Sequence, residues 1–234
     1  MRPDPHVIVL LATALAGCAS ALPGPQMPSP LASTNPARIA SWVNELRSPV
    51  ATETRFDARF QEGSGAEASL RGAVVIVPPD SLRFDARGPL GSAARAVFVV
   101  GDSAIWAEPE EEVTNLVPEY DLLWALVGQA RAPKNGDELS AESTAATRAW
   151  RYVRGADTVN YLLTTSAKRS LVAEVRRAGE LIGRVYTTFD ADGKLARAQL
   201  DVPSRPARLT LTFRNHRTPD SLPASLWTRP GDAP

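Results

Sequence analysis

Side chains that could do chemistry are few and scattered in this 234-residue chain. It has one cysteine, Cys18, and two histidines, of which His216 sits in the run Arg214-Asn215-His216-Arg217. One thiol cannot close an internal disulfide, and no clustered histidines accompany it to complete a zinc or haem site. The run Glu110-Glu111-Glu112 could attract a hard cation. It lacks the spaced oxygen ligands and the glycine of a calcium loop, so it reads as a solvated charge cluster. His216 reads as a surface residue at a strand end rather than a base. Neither glycine-rich phosphate loop pattern is present. The sequence therefore predicts no metal, no cofactor and no catalytic residue, and the one chemical role it points to belongs to Cys18.

The surroundings of Cys18 say what that role is. Arg2 gives the start a positive charge, weakened by Asp4, and the apolar run from Val7 to Ala16 has the length of a signal sequence and is too short to span a bilayer. It ends in Leu15-Ala16-Gly17-Cys18, which resembles the lipobox of bacterial lipoproteins. That resemblance implies cleavage before Cys18, acylation of the cysteine, and an anchor of several acyl chains, each contributing about 0.8 kcal/mol per buried CH₂. Ala19 follows, not the aspartate that retains lipoproteins in the inner membrane, so the resemblance implies an outer-membrane anchor facing the periplasm. Residues 1–17 are then a signal peptide. Residues 18–36, with prolines at 23, 25, 28, 30 and 36 and no charged residue, are the lipidated cysteine and an extended tether.

Residues 37–234 form one domain. The full chain, with 44% hydrophobic and 22% charged residues, falls in the globular range, and its 26 basic residues balance 26 acidic ones. That balance gives no net field toward nucleic acid or an anionic membrane, and nucleic acid is not expected as a partner.

The periodicity of this domain predicts α+β. Asn35 or Thr34 can cap a helix with Pro36 at its first position and Ile39, Trp42, Val43 and Leu46 along one stripe. Thr54, Phe56, Ala58 and Phe60 then alternate with charged residues. Leu70, Val74 and Ile76 continue the pattern, followed by Leu82, Phe84 and Ala86. Tight Gly and Pro turns between these runs demand antiparallel pairing. A second helix is spaced by Tyr120, Leu123, Trp124 and Val127, and Gly128 ends it. Glu108 to Glu112 reads as an acidic turn and 129–146 as loop. Further strands follow to the clean alternation of Leu209, Leu211 and Phe213. The expectation is a curved antiparallel sheet of ten to eleven strands, lidded by two short helices.

The segment Asp80-Ser81-Leu82-Arg83-Phe84-Asp85-Ala86-Arg87-Gly88-Pro89-Leu90-Gly91-Ser92 resembles the LolA/LolB lipoprotein-trafficking superfamily, in particular its outer-membrane receptor branch. There a strand of Asp-x-x-Arg character enters a Pro-Leu-Gly turn. The lipobox, the opening helix, the stretch Tyr120 to Gly128, and the closing Leu-x-Leu-x-Phe strand before Pro219-Asp220-Ser221-Leu222-Pro223 follow in the family's order, covering most of 37–230. The resemblance implies a half-barrel lidded by helices, with acyl chains of a client lipoprotein inside and a LolA-like periplasmic carrier as partner. It implies that Leu90, beside Pro89, protrudes to assist client insertion. The apolar lining would come from Trp42, Phe56, Phe60, Leu70, Val74, Ile76, Leu82, Phe84 and Trp124, which on burial statistics alone would equally fill a dry core. Alternatives are an envelope assembly lipoprotein of the same fold, binding another protein or a different apolar ligand, and a hydrolase with scattered catalytic residues.

Overall fold

The computed structural model describes residues 27–89, 94–166, 168–204, 206–229 and 232. Thirteen strands form one sheet in which every neighbouring pair is antiparallel. In chain order they are β1 (Ala32–Ser33), β2 (Thr52–Glu62), β3 (Glu67–Val77), β4 (Ser81–Arg87), β5 (Arg95–Val100), β6 (Ser103–Glu108), β7 (Glu138–Ser143), β8 (Thr147–Arg154), β9 (Asp157–Thr164), β10 (Ser170–Arg177), β11 (Glu180–Phe189), β12 (Leu195–Val202) and β13 (Ala207–Arg217). The helices are α1 (Pro36–Asn44), α2 (Glu110–Leu116) and α3 (Tyr120–Leu126), and a 3₁₀ turn spans Ala224–Trp227.

The strand order is β1-β7-β8-β9-β10-β11-β12-β13-β2-β3-β4-β5-β6. Two hairpin meanders are joined where the last strand, β13, pairs with the first long one, β2, along a register running from Ala207↔Glu62 to Arg217↔Glu53. The sheet is open, with β6 at one edge and the β1–β7 pair at the other. The chain must pass from β6 back to β7, and it does so through α2 and α3. Topology therefore places these helices across the inner face, which an amphipathic sheet has to cover.

Thirteen strands replace the expected ten to eleven. Residues 129–146, expected as loop, contain β7, where Ala141 faces the core while Glu142 and Ser143 are exposed. Leu139 also packs against the core, but two inward apolar residues in a six-residue strand are too short a period-2 signal to read. β1 lies in the segment expected as tether, and its pairing with β7 is a tertiary event no local pattern announces. The expected acidic turn at 108–112 holds the end of β6 at Glu108 and the start of α2 at Glu110, and the helix carries an apolar stripe of Val113 and Leu116, with Val117 at the C-cap, at i, i+3 and i+4. Its three glutamates occupy the first turn, where the helix dipole favours them.

Other elements follow the sequence closely. Asn35 caps α1, its Oδ1 accepting from the Arg38 amide at 3.0 Å, with Pro36 next. The helix ends at Asn44, before the expected Ser48-Pro49 stop. α3 is closed by Gly128, whose φ of +75° needs no Cβ, and whose amide donates to the Ala125 carbonyl at 2.9 Å.

One continuous apolar cluster lies between the inner face and the helices. It includes Ile39, Val43, Phe56, Leu82, Leu122 through Leu126, Trp150, Tyr161, Leu171, Leu200 and Leu211. Among the described residues the strands and the main core cluster fall between Ala32 and Arg217, with Met27 and Leu31 packed on a smaller cluster, so a chain beginning at residue 18 keeps all of these. No helix among the described residues is long and apolar enough to cross a membrane.

Candidate functional site

The helices differ in how they cover the inner face. α3 is core: Leu122, Leu123, Trp124, Ala125 and Leu126 are all buried, and Trp124 Nε1 donates to the Gly101 carbonyl at 2.9 Å. Thr187 Oγ1 on β11 donates to the Ala125 carbonyl at 2.7 Å, tying α3 to the sheet. α2 has one buried residue within its span, Val113, and no side-chain cap. Burying a Val or Leu contributes about 1.5–3 kcal/mol, so α2 is the cover that lifts most cheaply.

Beside α2 a cleft of about 490 Å³ opens at one end of the sheet. Phe60 of β2, Ala68 and Leu70 of β3, Ala207 of β13 and Leu116 of α2 give it an apolar floor. Glu62, Arg95, Glu111 and Glu112 form its charged rim, and an Arg95–Glu112 ion pair joins β5 to α2 across it. Deeper in, Phe84, Val97, Val113, Leu116, Leu123 and Leu209 bound a small apolar void of about 20 Å³. Leu116 and Arg95 border both spaces. Small-molecule pockets run to roughly 300–1,000 Å³. The cleft is of that size and the void is not.

The structure divides the candidate lining residues. Phe60 and Leu70 line the cleft, and Phe84 borders the void. Ile76 lines a second cleft of about 530 Å³ at the opposite end, with Leu46, Thr54, Phe189, Leu195 and His216. Trp42, Phe56, Val74, Leu82 and Trp124 are packed into the core. Phe56 stacks on Phe84 at 4.7 Å between ring centroids, and Trp42 meets Trp150 at 5.8 Å. The missed apolar members of the site, Ala68, Leu116 and Ala207, come from β3, α2 and the first position of β13. Val113, Leu116 and Val117 were the legible sign for α2.

Pro89 is exposed beside a groove on the other face of the sheet. Leu90 and Cys18 lie outside the described residues. His216 Nδ1 is 3.0 Å from Thr54 Oγ1, with no metal-binding group of His, Cys, Asp and Glu among the described residues.

An acid whose pKa is raised by burial lies away from both clefts. Burial pushes the Asp121 carboxyl above the usual carboxylate range, against the hydrogen bond that the Tyr161 hydroxyl donates to it at 2.9 Å. Tyr152 completes the network, donating to the Arg131 carbonyl at 2.9 Å and accepting from Trp150 Nε1 at 3.0 Å. Nearby, burial would raise Asp102, but the hydrogen bond from Lys134 and the Arg131 guanidinium hold it below its ordinary value. These groups fasten the 129–137 loop to α3 and β8–β9.

No family model matches the chain, and no curated protein matches it. The chain is similar to several solved structures at low identity. A LolA superfamily protein of Nitrosomonas europaea is 14% identical, covers 85% of this chain and 99% of its own, and has a TM-score of 0.39. A Vibrio parahaemolyticus domain provisionally assigned as an outer membrane lipoprotein-sorting protein is 8% identical, with coverages of 82% and 97% and a TM-score of 0.49. A DUF1329 family protein of Desulfovibrio piger is 7% identical, with coverages of 83% and 96% and a TM-score of 0.41.

Proposed function

We propose that this protein is a non-catalytic acceptor of lipoprotein acyl chains, anchored to the outer membrane through lipid on Cys18 and facing the periplasm. It takes its client from a LolA-like periplasmic carrier, and Leu90 with Pro89 assists insertion into the membrane. One observation carries the reading: the 490 Å³ cleft has an apolar floor of Phe60, Ala68, Leu70, Leu116 and Ala207, and its roof, α2, is held by few contacts. An acyl chain asks only for an apolar concavity and returns roughly 25 cal/mol per Å² buried. Passage further inward requires Leu116 to move with α2, because the void behind it is about 20 Å³.

A second reading is an envelope assembly lipoprotein whose interior is filled by its own side chains. The packed state of Trp42, Phe56, Val74, Leu82 and Trp124 favours it. Titration of a fluorescent fatty acid, followed by displacement with a diacylated lipopeptide, separates the two. The test uses the chain from residue 18 with Cys18→Ser. Binding that weakens more than about tenfold, or 1.4 kcal/mol, in Ala207→Trp at unchanged melting temperature supports the acceptor. Absence of binding, or binding indifferent to Ala207→Trp, overturns it.

A further inference from the structure

The outer face of the sheet, turned away from the core, is covered at one flank by residues 27–31 and at the other by residues 226–228. On one flank Met27 and Leu31 pack on Ala149, Leu162, Val172 and Tyr186 of β8–β11. On the other, the Trp227 ring meets Phe98 at 4.8 Å, and Trp106 Nε1 donates to the Trp227 carbonyl at 3.0 Å. Arg83 donates to the Leu226 and Thr228 carbonyls. Between these flanks no described segment covers the outer faces of β2, β3, β12 and β13, which form an open groove of about 920 Å³.

Five arginines line this groove, Arg59, Arg71, Arg87, Arg197 and Arg208, with Asp57 the acid among the lining residues. The strand register sets like charges directly opposite one another, Arg71 against Arg87 and Arg55 against Arg214. Asp57 serves both Arg71 and Arg214, while Arg59 pairs with Glu67 at 2.9 Å and Arg208 with Asp201 at 2.7 Å. Like charges opposed across a ladder are destabilising, and nothing in the packing of an exposed face requires them. The balanced composition thus hides a local excess, five arginines to one acid among the residues lining the groove.

We propose that this groove seats the phosphate headgroups of an anionic bilayer, with phosphates between Arg71 and Arg87. Guanidinium groups bind phosphate through paired N–H donors. Their spread over several strands of an open face suits many headgroups at once rather than one enclosed anion. The position of the bilayer rests on the anchor proposed above: Met27 is nine residues beyond Cys18, a span of at most about 32 Å, and it sits on this same face. Tyr186 beneath it pairs in register with Gln199, which lines the groove.

The test is co-sedimentation of the unlipidated chain from residue 18, Cys18→Ser, with vesicles of phosphatidylcholine alone or with about one-third phosphatidylglycerol. Binding is expected only to the second kind and is released by high salt. Each arginine at an anionic surface contributes about fivefold in affinity, so Arg71→Gln with Arg87→Gln should weaken binding on the order of 25-fold. Its melting temperature should hold or rise, because a repulsive pair is gone. Lys168→Gln with Lys194→Gln removes the same charge elsewhere and should retain binding. Equal binding to both vesicles, binding to neither, or a double arginine variant within twofold of the parent overturns the proposal. The fatty-acid titration is scored separately, so failure of one reading is distinguishable from failure of the other.

Discussion

Arg95 of β5 is ion-paired with Glu112 of α2 across the mouth of the inner cleft. Both side chains are partly exposed, so the pair contributes about 0–1 kcal/mol. That suffices to latch a helix whose other ties are few. In Glu112→Gln, amides of residues 110–117 should exchange up to about fivefold faster by hydrogen exchange, while the global melting temperature moves little. Unchanged exchange in α2 would show that the pair does not restrain it.

Gly72 faces the core opposite Phe56 and Ala86, and a Cβ there would overlap the Asp85 carbonyl oxygen and the Phe56 ring. Backbone must separate to admit it. Gly72→Ala is expected to cost about 1–3 kcal/mol or more, read by urea denaturation. Gly65→Ala meets nothing within 4 Å, but its φ of +89° makes it a milder, purely conformational loss.

Asp121 and Asp102 should give opposite pH signatures. Burial raises the folded-state pKa of Asp121, so its stabilising component is complete below the unfolded value of about 3.9 and is lost as pH rises through the folded value. The melting temperature of Asp121→Asn relative to the parent should therefore climb from acid toward neutral pH. Asp102 is lowered, so its contribution is present above the unfolded pKa and is lost as pH falls through the folded value. Asp102→Asn relative to the parent should fall toward neutral pH. Thermal unfolding across that range checks both signs, and flat differences would refute them.

The anchor and the insertion loop are tested in cells. Cys18→Ala should leave the membrane fraction. Leu90→Glu should stay anchored yet leave client lipoproteins uninserted, scored by their fractionation. Retention of Cys18→Ala in membranes would remove the anchor reading, and normal client insertion in Leu90→Glu would remove the role of the loop.

Local chemistry made much of this legible from sequence. Alternation in 54–60 and 209–213 gave β2 and β13, Asn35-Pro36 gave the start of α1, and Gly128 the end of α3, because each depends on neighbours a few residues away. Hydrophobic burial likewise marked Phe56 and Leu82 as inward. It could not say whether inward meant lining or filling, since both present the same apolar side chain. That was decided by how far α2 and α3 descend, which leaves Phe60 and Leu70 at an open cleft and closes Phe56 and Trp124 into the core.

The sequence by itself determined an antiparallel α+β chain with a signal-like start and a charge total of zero. Only the tertiary structure decided that β13 pairs with β2, that residues 27–31 and 226–228 cover the flanks of the outer face, and that Arg71 stands opposite Arg87. The physical reason is range: periodicity and turn chemistry act over a few residues, whereas strand pairing brings together residues far apart in the chain and so sets where charge and open apolar surface collect.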